Sequence, residues 1–451
     1  MEKLEKRQLM RDISRGALGS VGLSIYILAD SFFVSKKLGV LGVSVMNLTM
    51  PLFNLMEGLG LLLGMGGATL FVIDKIQEPS NSKKVFPQIF RVGLGLGIFF
   101  MILGLTCPRA IAQLLGANAS IIGMTTEYTH IILIGGPVFV LNNFFLSFVR
   151  NDRDTLLAMI AMLASSIWNV VADWLFILVF GWGMLGAGLA TSSAPLVSIL
   201  IMSVHWFNGK NTLTFKPSGF RMSNLKYTLS LGLPSFLMEM SNGVTIFIFN
   251  RIILTVSNEY AVAAYGVITN VLLVALALFT GTAQGIQPFV SKEFARRGFK
   301  KAFKALHMAI RVALGIALLV YVVSVVFRGP IVAAFNEQHN AYVAALATKG
   351  LPILLFSLFF SAINNQLIIF LSSADATKQS IGLVLFRGYL LVWPVLLPLA
   401  FTLKMDGVWL GMPIIEAISL VAGLILIRRI REVIKTKYGD KKRGLEDLED
   451  Q

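Results

Sequence analysis

The stretch SSIWNVVADWLFILVFGWGMLGAGLATSS, residues 165–193, decides the fold. Two apolar runs meet in it at a short glycine-rich turn, so the chain crosses a hydrocarbon layer, reverses and crosses again. In the first run Asn169 and Asp173 stand four residues apart, which puts both on one helical face. Thr191 follows in the second run. A carboxylate at such depth costs several kcal/mol, on the order of 2.5–3.5 on insertion scales. Asp30, inside SIYILADSFFVSKKLG at 24–39, poses the same problem.

Composition agrees with a membrane chain. The 451 residues are 56% hydrophobic and 14% charged, with a mean hydropathy of +0.75. Soluble domains carry roughly 25% charged residues. The N-terminus MEKLEKRQLMRDISR is charged and amphipathic and leads to no small-residue cleavage site, so no cleavable signal is expected. Cys107 is the single cysteine, which leaves no disulfide within one chain. His130, His205, His307 and His339 are scattered, without metalloprotease spacing. A net charge of +15 would suit nucleic acid, but its placement argues for a topology signal instead.

Apolar runs between breaks give twelve spans, near 13–36, 43–74, 86–107, 120–150, 155–179, 184–207, 225–256, 261–290, 302–327, 341–372, 379–401 and 407–430. Pro51, Pro137, Pro352 and Pro394 lie inside them as kink candidates. Most of the 39 Lys and Arg fall in the termini and in loops on one side, so both termini are expected in the cytoplasm. Arg251, Arg311, Lys349 and Arg387 fall within spans. The connection around 208–226 separates two sets of six, read as an N-terminal lobe (1–207), a linker (208–224), a C-terminal lobe (225–431) and a charged tail (432–451). Six is even, so both halves enter from the same side, as parallel repeats do. GMLGAGLATSSAPLVSIL at 183–200 lines up with KMDGVWLGMPIIEAISLV at 404–421, a shift of 221, and GGPVF in span 4 with GLPIL in span 10. Two unrelated bundles are the alternative.

Asp30, Asn169, Asp173 and Thr191 form an all-oxygen set suited to a hard cation or to protons. The plainer reading is that each polar group bonds a neighbouring helix, worth about 0.6 kcal/mol; it suits Thr191 alone better than two aspartates in one half. Glu57, Glu239 and Glu416 also lie within spans, and Arg251, Arg311 and Arg387 are possible partners for them. GLGLLLGMGG lacks a preceding strand and a following G-K-[ST], so helix packing explains it better than phosphate binding.

In order along the chain, LADSFFVSKKLG, GLGLLLGMGGATLF, FVRNDRDTLLAM, NVVADWLFILVFGWGMLGAGLATS, GLPSFLME, AAYGVITN and GIQPFVSKEF resemble the MATE (multidrug and toxic compound extrusion) family. The resemblance runs from about 13 to 431. It implies an all-α polytopic fold, with twelve transmembrane helices in two pseudo-symmetric six-helix lobes set in a V around a cavity. It also implies cation-coupled efflux, with Na⁺ or H⁺ as coupling ion and no other cofactor. In the bacterial-type branch with its cation site in the N-lobe, the matching positions are Asp30, Asn169, Asp173 and Thr191, which would also hold Na⁺. Another branch places an acid in span 7 where this chain has Asn242, with Glu239 three residues earlier. Span 10 offers Asn364, Asn365 and Gln366 but no acid between Pro352 and Asp375, and span 1 lacks the family's early proline. Glu57, Glu239, Asn242 and Glu416 are therefore secondary candidates for substrate or coupling.

The expected function is an antiporter exporting lipophilic or cationic small molecules from the cell membrane, a monomer among lipids and no binder of nucleic acid. A flippase for lipid-linked oligosaccharides, from the same superfamily, is the alternative. An enzyme is not expected, because no catalytic constellation occurs.

Overall fold

The computed structural model describes residues 3–449 except 208, 210, 217–218 and 336–339, so His339 and part of the 208–226 connection lie outside the described residues. The chain is helical, with no strand among the described residues. Among the described residues eight helices are long and apolar enough to cross a membrane, and two bent pairs bring the number to ten. Two further spans come from helices that run unbroken through a reversed residue. Lys3–Gln77 divides at Gly39 (φ 63°, ψ −154°) into spans 1 and 2, and Thr377–Ile434 divides at Lys404 (φ 54°, ψ −132°) into spans 11 and 12. The twelve spans expected from the sequence are thus present, in the expected order.

Span 3 is Pro79–Thr106, span 4 the pair Ile122–Ile134 and Gly136–Asn151, span 5 Thr155–Val179 and span 6 Gly183–Trp206. In the second half span 7 is Met222–Val256, span 8 Tyr260–Ala295, span 9 Phe299–Val326 and span 10 the pair Ala341–Leu355 and Ser357–Ser373.

Spans 4 and 10 bend by 46° and 43°. Pro137 follows its bend directly, whereas Pro352 precedes the bend at Phe356. The two breaks, at Gly135 and Phe356, are therefore 221 residues apart, as are Gly183 and Lys404. The left-handed turns at Arg153 (φ 72°) and Asp375 (φ 56°) repeat at nearly the same interval. The proline match of GGPVF with GLPIL is out of register by six, because proline weakens either side of a break while the bend itself occupies the equivalent place. Near Pro394 the helix adopts a π turn over Phe386–Leu390, with Leu391 N–H donating to Phe386 O at 2.9 Å.

The lobes touch through spans 1 and 8 and through spans 2 and 7, the two contacts that a twofold axis exchanges. A methyl group at Gly66 or Gly232 would strike the backbone of the opposing span, and one at Gly285 would meet Asp12 and Ile13. Only glycine lets the backbones approach this closely. Across the same seam Gln287 Nε2 donates to Thr69 Oγ1 at 2.8 Å, and Leu9, Ile13 and Met65 share a core with Ile286 and Val290.

Candidate functional site

Span 5 delivers Asn169 and Asp173 on one face, and a π turn, Trp174–Val179, begins at the next residue. Gly181 and Gly183 then reverse the chain at positive φ (70° and 59°), a conformation that other residues rarely adopt. Gly186 lies against the Phe176 backbone, so span 6 packs tightly on span 5 and presents Thr191 to the same interior. Gly188 leaves room for the Ile131 side chain of span 4, which a methyl group there would crowd. Asp30 enters from span 1.

The structure brings these residues together. Asp30, Asn169, Asp173 and Thr191 are all buried. Asp30 faces Asp173 and Asn169, and Thr191 Oγ1 lies 3.4 Å from Asp30 Oδ2. That hydroxyl also donates to Ala187 O at 2.9 Å. It carries one proton, and the shorter contact holds it. Asp30 Oδ1, both Asp173 oxygens and both polar atoms of Asn169 find no hydrogen-bond partner among the described residues. Each orphaned buried group costs roughly 1–3 kcal/mol, and more when charged. Two carboxylates, an amide oxygen and a hydroxyl fit a proton or a hard monovalent cation such as Na⁺. No larger metal-binding group of His, Cys, Asp or Glu occurs among the described residues.

Two tyrosines were not singled out by the sequence. Tyr128 lies beside Thr191 and within electrostatic reach of Asp30 and Asp173, and Tyr26 lies within reach of Asp30, Glu57 and Glu239. Tyr26 sits one helical turn before Asp30, a spacing that would have pointed to it. Glu57 in span 2 accepts a short hydrogen bond from Asn143 and faces Glu239 of span 7 across the lobe boundary.

Glu416 is held differently. Arg387 binds its Oε1 through Nη2 at 2.6 Å and Nε at 2.9 Å. Asn364 donates to its Oε2 at 2.7 Å, and Asn365 accepts from Arg387 at 2.8 Å. Arg387, Glu416 and Asn242 line a C-lobe cavity of about 30 Å³, room for about one water. Of the three arginines expected as partners, Arg387 alone makes an ion pair with an acid within a span among the described residues, while Arg251 and Arg311 are exposed. Asn143 and Asn364 stand 221 residues apart and each donates to a glutamate. The repeated Asn-Asn at 142–143 and 364–365 was the available sign.

The family model described as MatE matches residues 17–175 and 234–396, one segment in each half. Multidrug export protein MepA of Staphylococcus saprophyticus is 25% identical over 434 residues, covering 92% of each chain. MepA of Staphylococcus aureus is 24% identical, again over 92% of each. A MATE crystal structure in the straight conformation superposes with a TM-score of 0.89 at 23% identity, covering 96% of this chain and 97% of that one. An outward-facing multidrug resistance MATE family transporter of the MOP superfamily gives 0.87 at 23% identity, covering 95% and 96%. These structures are similar in fold.

Proposed function

Because the chain belongs to the MATE family, we propose that it is a cation-coupled antiporter that exports lipophilic, often cationic, small molecules, a transporter rather than an enzyme. The observation that carries this reading is the set of orphaned, buried oxygens on Asp30, Asp173 and Asn169. Two carboxylates facing each other in a low-dielectric interior are not both left ionised and empty-handed. A proton, or Na⁺ held by Asp30, Asn169, Asp173 and Thr191, supplies the missing positive charge. Binding drives transport when the site's affinity differs between the two orientations of the lobes. Asp30 on span 1 and Asp173 on span 5 join separate elements, so movement of span 1 at the lobe seam changes their separation. The multidrug export relatives support the substrate class.

In this reading residues 1–207 and 225–431 are the two moving lobes, 208–224 the linker, and 432–451 the tail. Both termini lie in the cytoplasm and the protein works as a monomer in the cell membrane. The lipid-linked oligosaccharide flippase asks for free cations in the cavity. Arg387, which lines the C-lobe cavity, is already bonded to Glu416, and this favours the antiporter.

The test is transport in proteoliposomes under an imposed Na⁺ gradient and, separately, an imposed H⁺ gradient, with ethidium as the reporter substrate. One gradient accelerates ethidium movement in the wild type and leaves the Asp30→Asn, Asp173→Asn double variant at the passive rate. Equal transport by both proteins under the same gradient removes the N-lobe site from the mechanism.

A further inference from the structure

Far from both polar clusters, an open cavity of about 620 Å³ lies between the first turns of span 1 and the Phe299 end of span 9. Lys6, Lys304, His307 and Arg311 line it, with no acid among the lining residues. Glu5, beside Lys6, is held by Lys301 at 2.8 Å. No ion pair engages Lys6, Lys304 or Arg311 among the described residues. His307 Nδ1 is 2.6 Å from Phe303 O, leaving Nε2 as its remaining polar atom. Three fixed cations with no counter-charge repel one another, and an anion between them removes that repulsion.

The helix face above the cavity says what kind of anion fits. Lys304, His307 and Arg311 recur at intervals that keep them on one side of span 9. The same side continues through Gly315, where a methyl group would meet nothing within 4 Å, to the exposed Leu318 and Val322. Met10, Met308 and Val312 add apolar wall beside the cations. Charge at the membrane edge followed by a bare apolar track matches a phosphate head with hydrocarbon tails. We propose that this cavity binds the phosphate of an anionic phospholipid, with the acyl chains laid along the Gly315–Val322 face of span 9. Basic pockets between helices at the membrane boundary recognise such headgroups through charge-assisted hydrogen bonds. A free phosphate would use the same cations without the apolar track, so the experiment separates the two.

Full-length protein is purified and offered phosphatidylglycerol, phosphatidylcholine or inorganic phosphate. Retained lipid is counted by native mass spectrometry and thermal stability is followed in parallel. The wild type retains phosphatidylglycerol in preference to phosphatidylcholine and gains stability from it, while millimolar phosphate does neither. Each basic residue near the surface contributes about fivefold. The Lys6→Gln, Lys304→Gln, Arg311→Gln variant therefore loses at least about tenfold in phosphatidylglycerol retention. The Lys36→Gln, Lys37→Gln, Arg328→Gln variant removes equal charge at the other end of the spans and changes retention less than about twofold. If the first variant does not fold, Lys304→Gln alone, at an exposed position, still loses about fivefold. Equal losses in the two triple variants, no loss in Lys304→Gln, equal retention of the two lipids, or stabilisation by phosphate alone would each overturn the proposal.

Discussion

In the C-lobe, Glu416 meets its counter-charge inside the protein, in Arg387, and two asparagines occupy the remaining positions around the pair. In the N-lobe, Asp30 and Asp173 face each other without an ion pair to a basic side chain, and the amide of Asn169 has no hydrogen-bond partner, among the described residues. Both clusters adjoin a π turn, Trp174–Val179 after Asp173 and Phe386–Leu390 around Arg387, and spans 5 and 6 of the one correspond to spans 11 and 12 of the other. The frame is shared and the charge balance is not. A pair closed on itself gains nothing from an ion in solution. In the proposed antiporter a pair left open would gain from one, and its occupancy would follow the gradient outside.

The comparison breaks most visibly where the N-lobe acids are removed. Asp30→Asn and Asp173→Asn each lower gradient-driven transport by about a hundredfold or more, the scale of losing a charged group that acts only when occupied. Their folded yield in the membrane stays near wild type, because each substitution removes buried negative charge without orphaning a cation. In the C-lobe the signs reverse. Arg387→Met leaves Glu416 buried and unpaired and destabilises by roughly 3–5 kcal/mol, while Arg387→Met with Glu416→Leu recovers most of it. Thermal unfolding of the single and double variants reads this directly. Similar losses in both would mean that packing, rather than the ion pair, holds the cluster.

Asn169→Ala and Thr191→Ala sharpen the N-lobe half. Protons need only the carboxylates, whereas Na⁺ takes neutral oxygens as well. Either substitution raises half-saturation for Na⁺ by about tenfold, about 1.4 kcal/mol, and moves the proton-driven rate by less than about threefold. Should both gradients weaken equally, the amide and the hydroxyl serve the fold.

Much of this was legible in the sequence because bilayer thickness fixes span length and buried charge is rare enough to stand out. Twelve spans, the Asn169–Asp173 face and the 221-residue shift all follow from period and spacing. The Arg387–Glu416 pair did not, since three arginines and three glutamates share the spans and one-dimensional spacing cannot say which helices are neighbours. Tyr128 was hidden for a related reason. It lies on span 4, and its separation from Asp30 along the chain carries no sign that the two are neighbours in space. A bend in span 10 was expected at Pro352, but its place at Phe356 escaped, because a proline marks a weak region while the neighbouring helices choose the residue at which it yields.

The smallest effects lie outside the membrane, at the equivalent turns after spans 4 and 10, and again the lobes differ in sign. Burial alone would push the Asp152 carboxyl up. His205 (3.0 Å), two bonds from Thr212 and the charge of Lys75 outweigh this and hold it below the usual range. Asp375 is pushed up by burial. A lowered pKa in the folded state means that Asp152 stabilises above its unfolded value, near 3.9, and that this stability fades as pH falls through the folded value. Asp375 works the other way, because its ionised form is disfavoured in the fold and stability is lost as pH rises through the raised value. Asp152→Asn therefore lowers stability by about 1 kcal/mol at pH 7. Asp375→Asn raises it by no more than a few tenths, since the residue is exposed and solvent screens it. Asparagine also accepts the left-handed turn at that position. Melting curves from pH 7 down to pH 2 should show two differences of opposite sign, the Asp375 difference shrinking first and the Asp152 difference only below about pH 4. Two differences of the same sign would mean that the turns are held by backbone geometry and not by the charge on these carboxyls.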